Sequence, residues 1–411
     1  MLEKSLKERC HVNTNIDMDT FVGIKCVKGG ISVNFPLGFH LSNDEKEIRK
    51  DILLLLNILS KNTDRKESEI NNALEYTEVS LPIQAYLHVI ADFYARGYYK
   101  ERETTYTVSK KGKINWGRTI KTQNVYIQDN DLYYLNFVTK KNTVNENEMI
   151  TLIHQYCVYE SFLKLGWLFS SYMPAKPKIK SNPKLFEGVI KRKIANTFND
   201  RNKQLFYNML AIVKSLGNDG DATDFKYGTY RFEYVWESMI DKVYGIKNKT
   251  EYFPKTRWQL QGFTHENASL EPDTIMLANN AIYVLDSKYY KFGWTGIPTH
   301  LPDSASINKQ ITYGEFITEN DKFKNGNDEA PTVYNAFIMP YDAHGKTFYT
   351  EKELHYIGTA ISDWKANDGL KTYEKVVGIL LDVKSLMKSH SNDKDKILSL
   401  AELIEEQVNK R

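Results

Sequence analysis

Leu270-Glu271-Pro272-Asp273-Thr274-Ile275-Met276-Leu277-Ala278-Asn279-Asn280-Ala281-Ile282-Tyr283-Val284-Leu285-Asp286-Ser287-Lys288-Tyr289-Tyr290 is the stretch that decides how the chain is read. Two apolar, β-branched runs flank an Asn-Asn turn, the pattern of a β-hairpin whose strands are buried or half-buried. Asp273 opens the first strand. Asp286 and Lys288 stand two apart on the second, so they project from one face of the sheet. Two carboxylates converging on one point can hold Mg2+, and a lysine beside them can position or help deprotonate a water that attacks phosphorus. The same residues would also suit a plain hairpin with a turn-side aspartate and an Asp/Lys ion pair on its rim. The flanking elements therefore matter.

Upstream, residues 230–245 read as an amphipathic helix. Phe232, Val235, Trp236, Met239, Ile240 and Val243 form its apolar stripe, and Gly245 is its stop. Glu233 and Glu237 share a face beside that stripe, so either could reach a metal site at the sheet edge or remain a solvated glutamate. Downstream, Ser304 to Phe316 opens on a serine cap and continues with helical apolar spacing.

The order Pro272-Asp273, a spacer, then Asp286-Ser287-Lys288 resembles the signature of the PD-(D/E)xK nuclease superfamily. That resemblance implies a helix after the lysine with a glutamine and a tyrosine facing the site, and Gln310 and Tyr313 match it. The chain further resembles the LlaJI family of restriction endonucleases, similar to the McrC subunit of GTP-driven restriction systems. The residues that carry this are Phe21-Val22-Gly23-Ile24-Lys25, the segment 31–39, Gly112-Lys113-Ile114-Asn115-Trp116-Gly117-Arg118-Thr119-Ile120 and the nuclease block. Val235-Trp236-Glu237 resembles a step of McrC nuclease helices, which favours Glu237 over Glu233 as the third acid.

Composition sets bounds around this reading. A chain of 411 residues is long enough for two or three domains. With 55 basic and 52 acidic residues the net charge is only +3, so DNA contact must come from local basic patches. Cys10, Cys26 and Cys157 lack CxxC spacing and neighbouring histidine pairs, which argues against a zinc site or a disulfide framework and suits a cytoplasmic setting. The apolar run 52–59 falls short of the ~18 residues that span a bilayer, and the N-terminus lacks a signal-peptide core. A membrane role is not expected.

Three prolines within residues 173–183 cannot continue a helix. The domain boundary is expected there, giving an α+β N-terminal module over 1–175 and an α/β nuclease domain over 176–411. In the first, residues 20–40 read as a hairpin about Lys28-Gly29-Gly30, 42–61, 81–99 and 146–169 as helices, and 103–140 as strands. In the second, 183–198, 199–216 and 394–411 read as helices, and 333–340 and 376–382 as further strands of a mixed sheet flanked by helices. The basic segment 109–119, with Lys113, Trp116 and Arg118, suits phosphate contact with stacking, an acidic partner surface, or a solvated strand and turn over a buried Trp116. The McrC likeness implies docking on a ring-forming, McrB-like AAA+ GTPase.

Asp273, Asp286, the Ser287 carbonyl and Glu237 are the expected ligands of one or two Mg2+ ions, with Lys288 and Gln310 placing the nucleophile and Tyr313 as a DNA or partner contact. No Gly-x4-Gly-Lys-Ser/Thr occurs, so this chain is not expected to hydrolyse nucleotide itself. The expected activity is Mg2+-dependent cleavage of double-stranded DNA in a restriction system. Two alternatives stand beside it: a stand-alone type II restriction or repair nuclease, and an inert adaptor with a nuclease-like fold that activates an NTPase.

Overall fold

The computed structural model of the chain describes residues 5–16, 18–27, 30–66, 77–79, 82–129, 131–145, 147–218, 225–324, 326–364 and 369–410. They belong to two compact units, one formed by Met1–Val79 with Thr223–Arg411, the other by Ser80–Ala222.

The first unit begins with β1 (Cys10–Val12), β2 (Val22–Val27) and β3 (Gly30–Phe35). β1 runs parallel to β3, and β3 is antiparallel to β2, as the hairpin pattern predicts. Residues 28 and 29 of the expected turn lie outside the described residues. Val22, Ile24, Val33 and Phe35 are fully buried, the two-residue period of a strand with one face in the core. α1 (Glu45–Lys66) buries Ile48, Ile52, Leu55, Leu56 and Leu59, an i, i+4, i+7 stripe, and β4 (Thr77–Val79) follows.

The second unit holds α2 (Ile83–Arg96), β5 (Glu101–Val108), β6 (Lys113–Ile114), α3 (Trp116–Thr122), β7 (Val125–Gln128), β8 (Asp131–Tyr134), β9 (Val138–Asn145), α4 (Met149–Leu165), α5 (Pro183–Ala195) and α6 (Asp200–Asn218). Its core is helical: Tyr86, Val89 and Ile90 of α2, Ile153 and Cys157 of α4, Ile190 of α5 and Phe206 and Met209 of α6 are all fully buried. The proline-bearing segment 173–183 lies inside this unit, which corrects the boundary expected at residue 175. Proline stops helix hydrogen bonding but does not prevent the helices on either side from burying their apolar faces together. Tyr156 of α4 meets Phe186 of α5 across that segment at 5.4 Å between ring centroids.

The chain then returns to the first unit as β10 (Phe225–Thr229), inserted between β2 and β4 and antiparallel to both. Gly23 and Gly228 face each other there, and a Cβ on Gly23 would stand 2.1 Å from the Tyr227 carbonyl oxygen, so the pairing requires glycine. Next come α7 (Phe232–Tyr244), an exposed ribbon of β11 (Arg257–Leu260) and β12 (Phe263–Glu266), β13 (Thr274–Ala278), β14 (Ala281–Ser287), α8 (Phe292–Thr295), α9 (Ser304–Glu319), β15 (Val333–Tyr341), β16 (Leu354–Ala360), β17 (Val376–Asp382), α10 (Val383–Lys388) and α11 (Lys394–Asn409). The main sheet has the order β13-β14-β15-β17-β16; the three central strands are parallel and both edge strands antiparallel. Every residue of β14, β15 and β17 is buried, as continuous apolar runs predict for strands covered on both faces.

α9 covers one face, where Ile311, Tyr313 and Ile317 pack with Val284, Phe337 and Met339. α7 and α11 serve the other. There the Trp236 indole donates to the Ile338 carbonyl at 3.4 Å, and Tyr283 hydrogen-bonds Glu405. The mixed α/β architecture matches the fold class expected from the sequence.

Candidate active site

β13 and β14 are joined by Asn279 and Asn280 with φ of +49° and +60°, the left-handed pair that a tight two-residue hairpin requires. Their register pairs Thr274 with Leu285, which sets Asp273 level with Asp286 at the open end. The Ser287 amide donates to Asp273 Oδ2 at 2.8 Å, and Lys288 Nζ lies 2.7 Å from Asp286 Oδ2. Asp273, Asp286 and Lys288 therefore meet at one end of the sheet, as their spacing predicts. Asp286 is only 4% exposed.

The electrostatics follow from that crowding. Burial, then the neighbouring Asp286 charge, pushes the Asp273 carboxyl up to about 6, against the pull of the Ser287 amide and of Lys288 and Lys309. Burial draws the Lys288 ammonium down, but Asp286 and Asp273 outweigh it, and its pKa is raised. Lys288 is thus held as a cation.

Three buried hydroxyls in these elements, Thr274 Oγ1, Ser287 Oγ and Tyr313 Oη, have no hydrogen-bond partner among the described residues. Tyr313 is fully buried, which rules it out as a surface that DNA or a partner would meet and corrects that expectation. Its hydroxyl pKa is raised by burial and then by Asp286 and Asp273, so it stands within electrostatic reach of both acids. Gln310 is also buried; its amide donates to the Val284 carbonyl at 2.6 Å and so anchors α9 to β14. The cap of α9 is Asp303, which accepts from the Ser306 amide at 2.9 Å, rather than the expected serine. Lys309, which sequence reasoning passed over, lies 5.6 Å from the Tyr313 ring centroid and lowers Asp273. Its position beside Gln310 was the available signal.

Glu237 and Glu233 sit differently. Alternation along β14 and beyond turns Asp286 and Lys288 to one side and Ser287 and Tyr289 to the other. On this second side a cleft of about 780 Å³ opens, with Ser287, Glu237 and Glu233 in its wall. Glu233 is ion-paired with Arg231. Among the described residues no three His, Cys, Asp or Glu side chains gather into a group that could hold a metal ion. The acid pair and the helix glutamates are brought to the same end of β14, but not into one cluster. The donors at the pair are nonetheless all oxygen, with two carboxylates of like charge and unpartnered hydroxyls, a set suited to a hard divalent cation.

Lys113, Trp116 and Arg118 lie in the second unit. Asn115 caps α3 by accepting from the Arg118 amide, and the Arg118 guanidinium stacks on Tyr106 at 3.7 Å. Trp116 is 53% exposed, which removes the alternative of a buried indole. Nearby in sequence, the β7–β8 hairpin carries exposed Tyr126, Ile127 and Leu132. Cys10, Cys26 and Cys157 are thiols not joined in a disulfide, and among the described residues no helix is long and apolar enough to cross a membrane.

A family model described as LlaJI restriction endonuclease matches residues 21–384. A component of the type II restriction enzyme BsuMI, YdjA of Bacillus subtilis (strain 168), is 27% identical over 271 residues, 61% of this chain and 56% of that protein. The chain thus spans about half the length of that curated relative. Among solved structures, a half-complex of Thermococcus gammatolerans McrB AAA+ hexamers with bound McrC is similar at 16% identity and a TM-score of 0.40, over 93% of this chain and 83% of the matched one. That structural likeness is too slight to bear on function.

Proposed function

The chain belongs to the LlaJI restriction endonuclease family, and from that premise we propose that it is the DNA-cutting subunit of a restriction system, hydrolysing phosphodiester bonds with Mg2+ through a PD-(D/E)xK core. The observation that supports this most is the meeting of Asp273, Asp286 and Lys288 at one end of the β13–β14 hairpin. A rim ion pair on a plain hairpin would be exposed to water, whereas Asp286 is nearly inaccessible and stands beside a second acid.

Asp273, Asp286 and the Ser287 carbonyl would hold the ion. Bound there, Mg2+ would supply charge that stabilises the phosphoryl oxygens and acidifies a coordinated water. Lys288, kept protonated by the acids, donates hydrogen bonds to the attacking water or to a phosphoryl oxygen and offsets negative charge as it develops. Gln310 acts at one remove, fixing the strand that carries Asp286. Tyr313 and Ser287 offer hydroxyls for ordered water. Glu237, with Glu233 as its alternative, would serve as the third acid from the cleft side of β14, holding water or a second ion.

For the partner, we assign docking to the second unit. Exposed Trp116, Ile127 and Leu132 beside Lys113 suit a protein surface with apolar and acidic character. A McrB-like AAA+ GTPase is the proposed occupant, and DNA the shared substrate.

The deciding experiment compares the full chain with Asp286→Ala on plasmid DNA, with and without Mg2+ and with and without a McrB-like GTPase. Cutting that needs Mg2+ and vanishes in Asp286→Ala, with an unchanged circular dichroism spectrum, is the expected result. Cutting retained by the variant would refute the site. Cutting that never needs the GTPase would favour a stand-alone enzyme.

A further inference from the structure

The cleft beyond Ser287 has a shape and lining that the acid pair does not explain. Tyr230, Phe232, Tyr289 and Tyr290 supply aromatic walls, and Asn15 and Met18 of the N-terminal loop close one side. The floor is rigid: the Leu37 amide donates to the Tyr289 hydroxyl at 2.7 Å, and the Tyr289 ring lies 5.4 Å from Phe232 and 6.2 Å from Trp236. At the mouth, Tyr290 is 38% exposed and Lys291 makes no ion pair among the described residues. Glu237 adds carboxylate oxygens beside the Arg231–Glu233 ion pair, which also lines the cleft.

Each feature matches one part of a nucleotide. A flat ring beside an exposed tyrosine gains stacking energy whatever the base. A carboxylate accepts hydrogen bonds from base amino groups. An unpaired lysine at the rim takes a phosphate. The volume, about 780 Å³, falls in the range that encloses one small ligand. Ser287 belongs to the cleft wall and directly follows Asp286, so the cleft opens at the strand end that carries the acid pair, on the opposite side of β14.

We propose that this cleft takes a single nucleotide of the DNA strand, drawn out of the duplex beside the cut, with its base among the tyrosines and its phosphate against Lys291. The proposal rests on the nuclease reading and extends it. Extrusion costs a few kcal/mol of lost stacking and pairing, recovered by the aromatic walls.

The test begins by mapping where the wild-type full chain cuts plasmid DNA, supplying the proposed McrB-like GTPase if cutting needs it. Duplexes carrying 2-aminopurine at successive positions around that cut are then bound to Asp286→Asn, which retains the substrate. The expected result is a several-fold rise in 2-aminopurine emission at one position within about two nucleotides of the cut, absent in the Asp286→Asn, Tyr290→Ala double variant. Tyr290 is exposed, so its loss leaves the fold intact. Mapped cutting and tight binding with no rise at any position would overturn the proposal and leave the nuclease reading standing. A rise that survives Tyr290→Ala would overturn it as well. If the wild type cuts no DNA under any of these conditions, the nuclease reading falls and takes this inference with it.

Discussion

The amide of Leu37 donates its proton to the hydroxyl of Tyr289, at 2.7 Å, joining the segment after β3 to the residue just beyond Lys288. The N-terminal strands are therefore structural parts of the unit that carries the acid pair. Tyr289→Phe would leave the Leu37 amide without its acceptor while Leu37 itself is fully buried. The expected cost is roughly 1–3 kcal/mol of stability, read as a lower urea midpoint with an unchanged slope. More drastically, a fragment of residues 176–411 should fail to fold cooperatively, because β10 would lose both β2 and β4. A sharp, two-state melt of that fragment would show the N-terminal sheet to be dispensable.

Asp273 offers a test in which stability and activity move in opposite directions. Its carboxyl is raised from 3.8 to about 6, so the folded state holds a proton that the unfolded state has released. Stability is then lost as pH rises from about 4 to about 6, and the deficit persists above, at a few kcal/mol for a shift of this size. Asp273→Asn keeps an oxygen for the Ser287 amide but carries no charge. At pH 8 the variant should melt higher than wild type, while cleavage falls by roughly 100-fold or more for want of the charge. A variant that melts lower at pH 8 would contradict the electrostatic account.

Local pattern made much of this unit legible. The Asn279-Asn280 turn and the 3.6-residue stripe of α7 each suit one element type, while the apolar runs of β15 and β17 read as buried strands by their short length rather than by any period. What could not be read is where distant segments meet. β10 pairs with β2 across about two hundred residues, and neither strand bears a mark of the other beyond the facing glycines 23 and 228. The prolines of 173–183 signalled the end of a helix, which occurs, and not the end of a packed unit, which does not. Glu237 shows the same limit at the site. Helical spacing places it beside the apolar stripe, but the side of β14 that this face meets depends on how α7 packs, here through Trp236 against Ile338.

A buried ion pair ties α1 to α10. Lys384 Nζ lies 2.6 Å from Asp51 Oδ2, and Asp51 is 2% exposed. Burial raises the Asp51 carboxyl while Lys384 pulls it down. Removing one partner strands the other charge, so Asp51→Ala should cost about 3–5 kcal/mol. The pair itself need contribute little, because desolvation offsets its attraction. Asp51→Leu with Lys384→Met should therefore recover most of the loss, as measured by denaturant melts of wild type, Asp51→Ala and the double variant. A double variant as unstable as the single one would mean that the charges supply net stability.

In the second unit, His154 is fully buried on α4 and accepts a hydrogen bond from the Tyr99 amide at Nδ1, 2.8 Å away. Its proton must then sit on Nε2, which has no partner among the described residues. Burial lowers its pKa from 6.5 to about 4, with Asp92 opposing and Arg96 reinforcing the shift. Because the unfolded chain takes up the proton first, stability is full above about pH 7 and declines as pH falls toward about 4. The decline is roughly 1.4 kcal/mol per pH unit within that window, about 3 kcal/mol in all. His154→Asn keeps an oxygen that can accept from Tyr99 and has nothing to titrate. Urea unfolding at pH 7.5 and pH 5 should show the wild type losing about 2 kcal/mol more than the variant between the two conditions. Equal losses would place the acid sensitivity of this unit elsewhere.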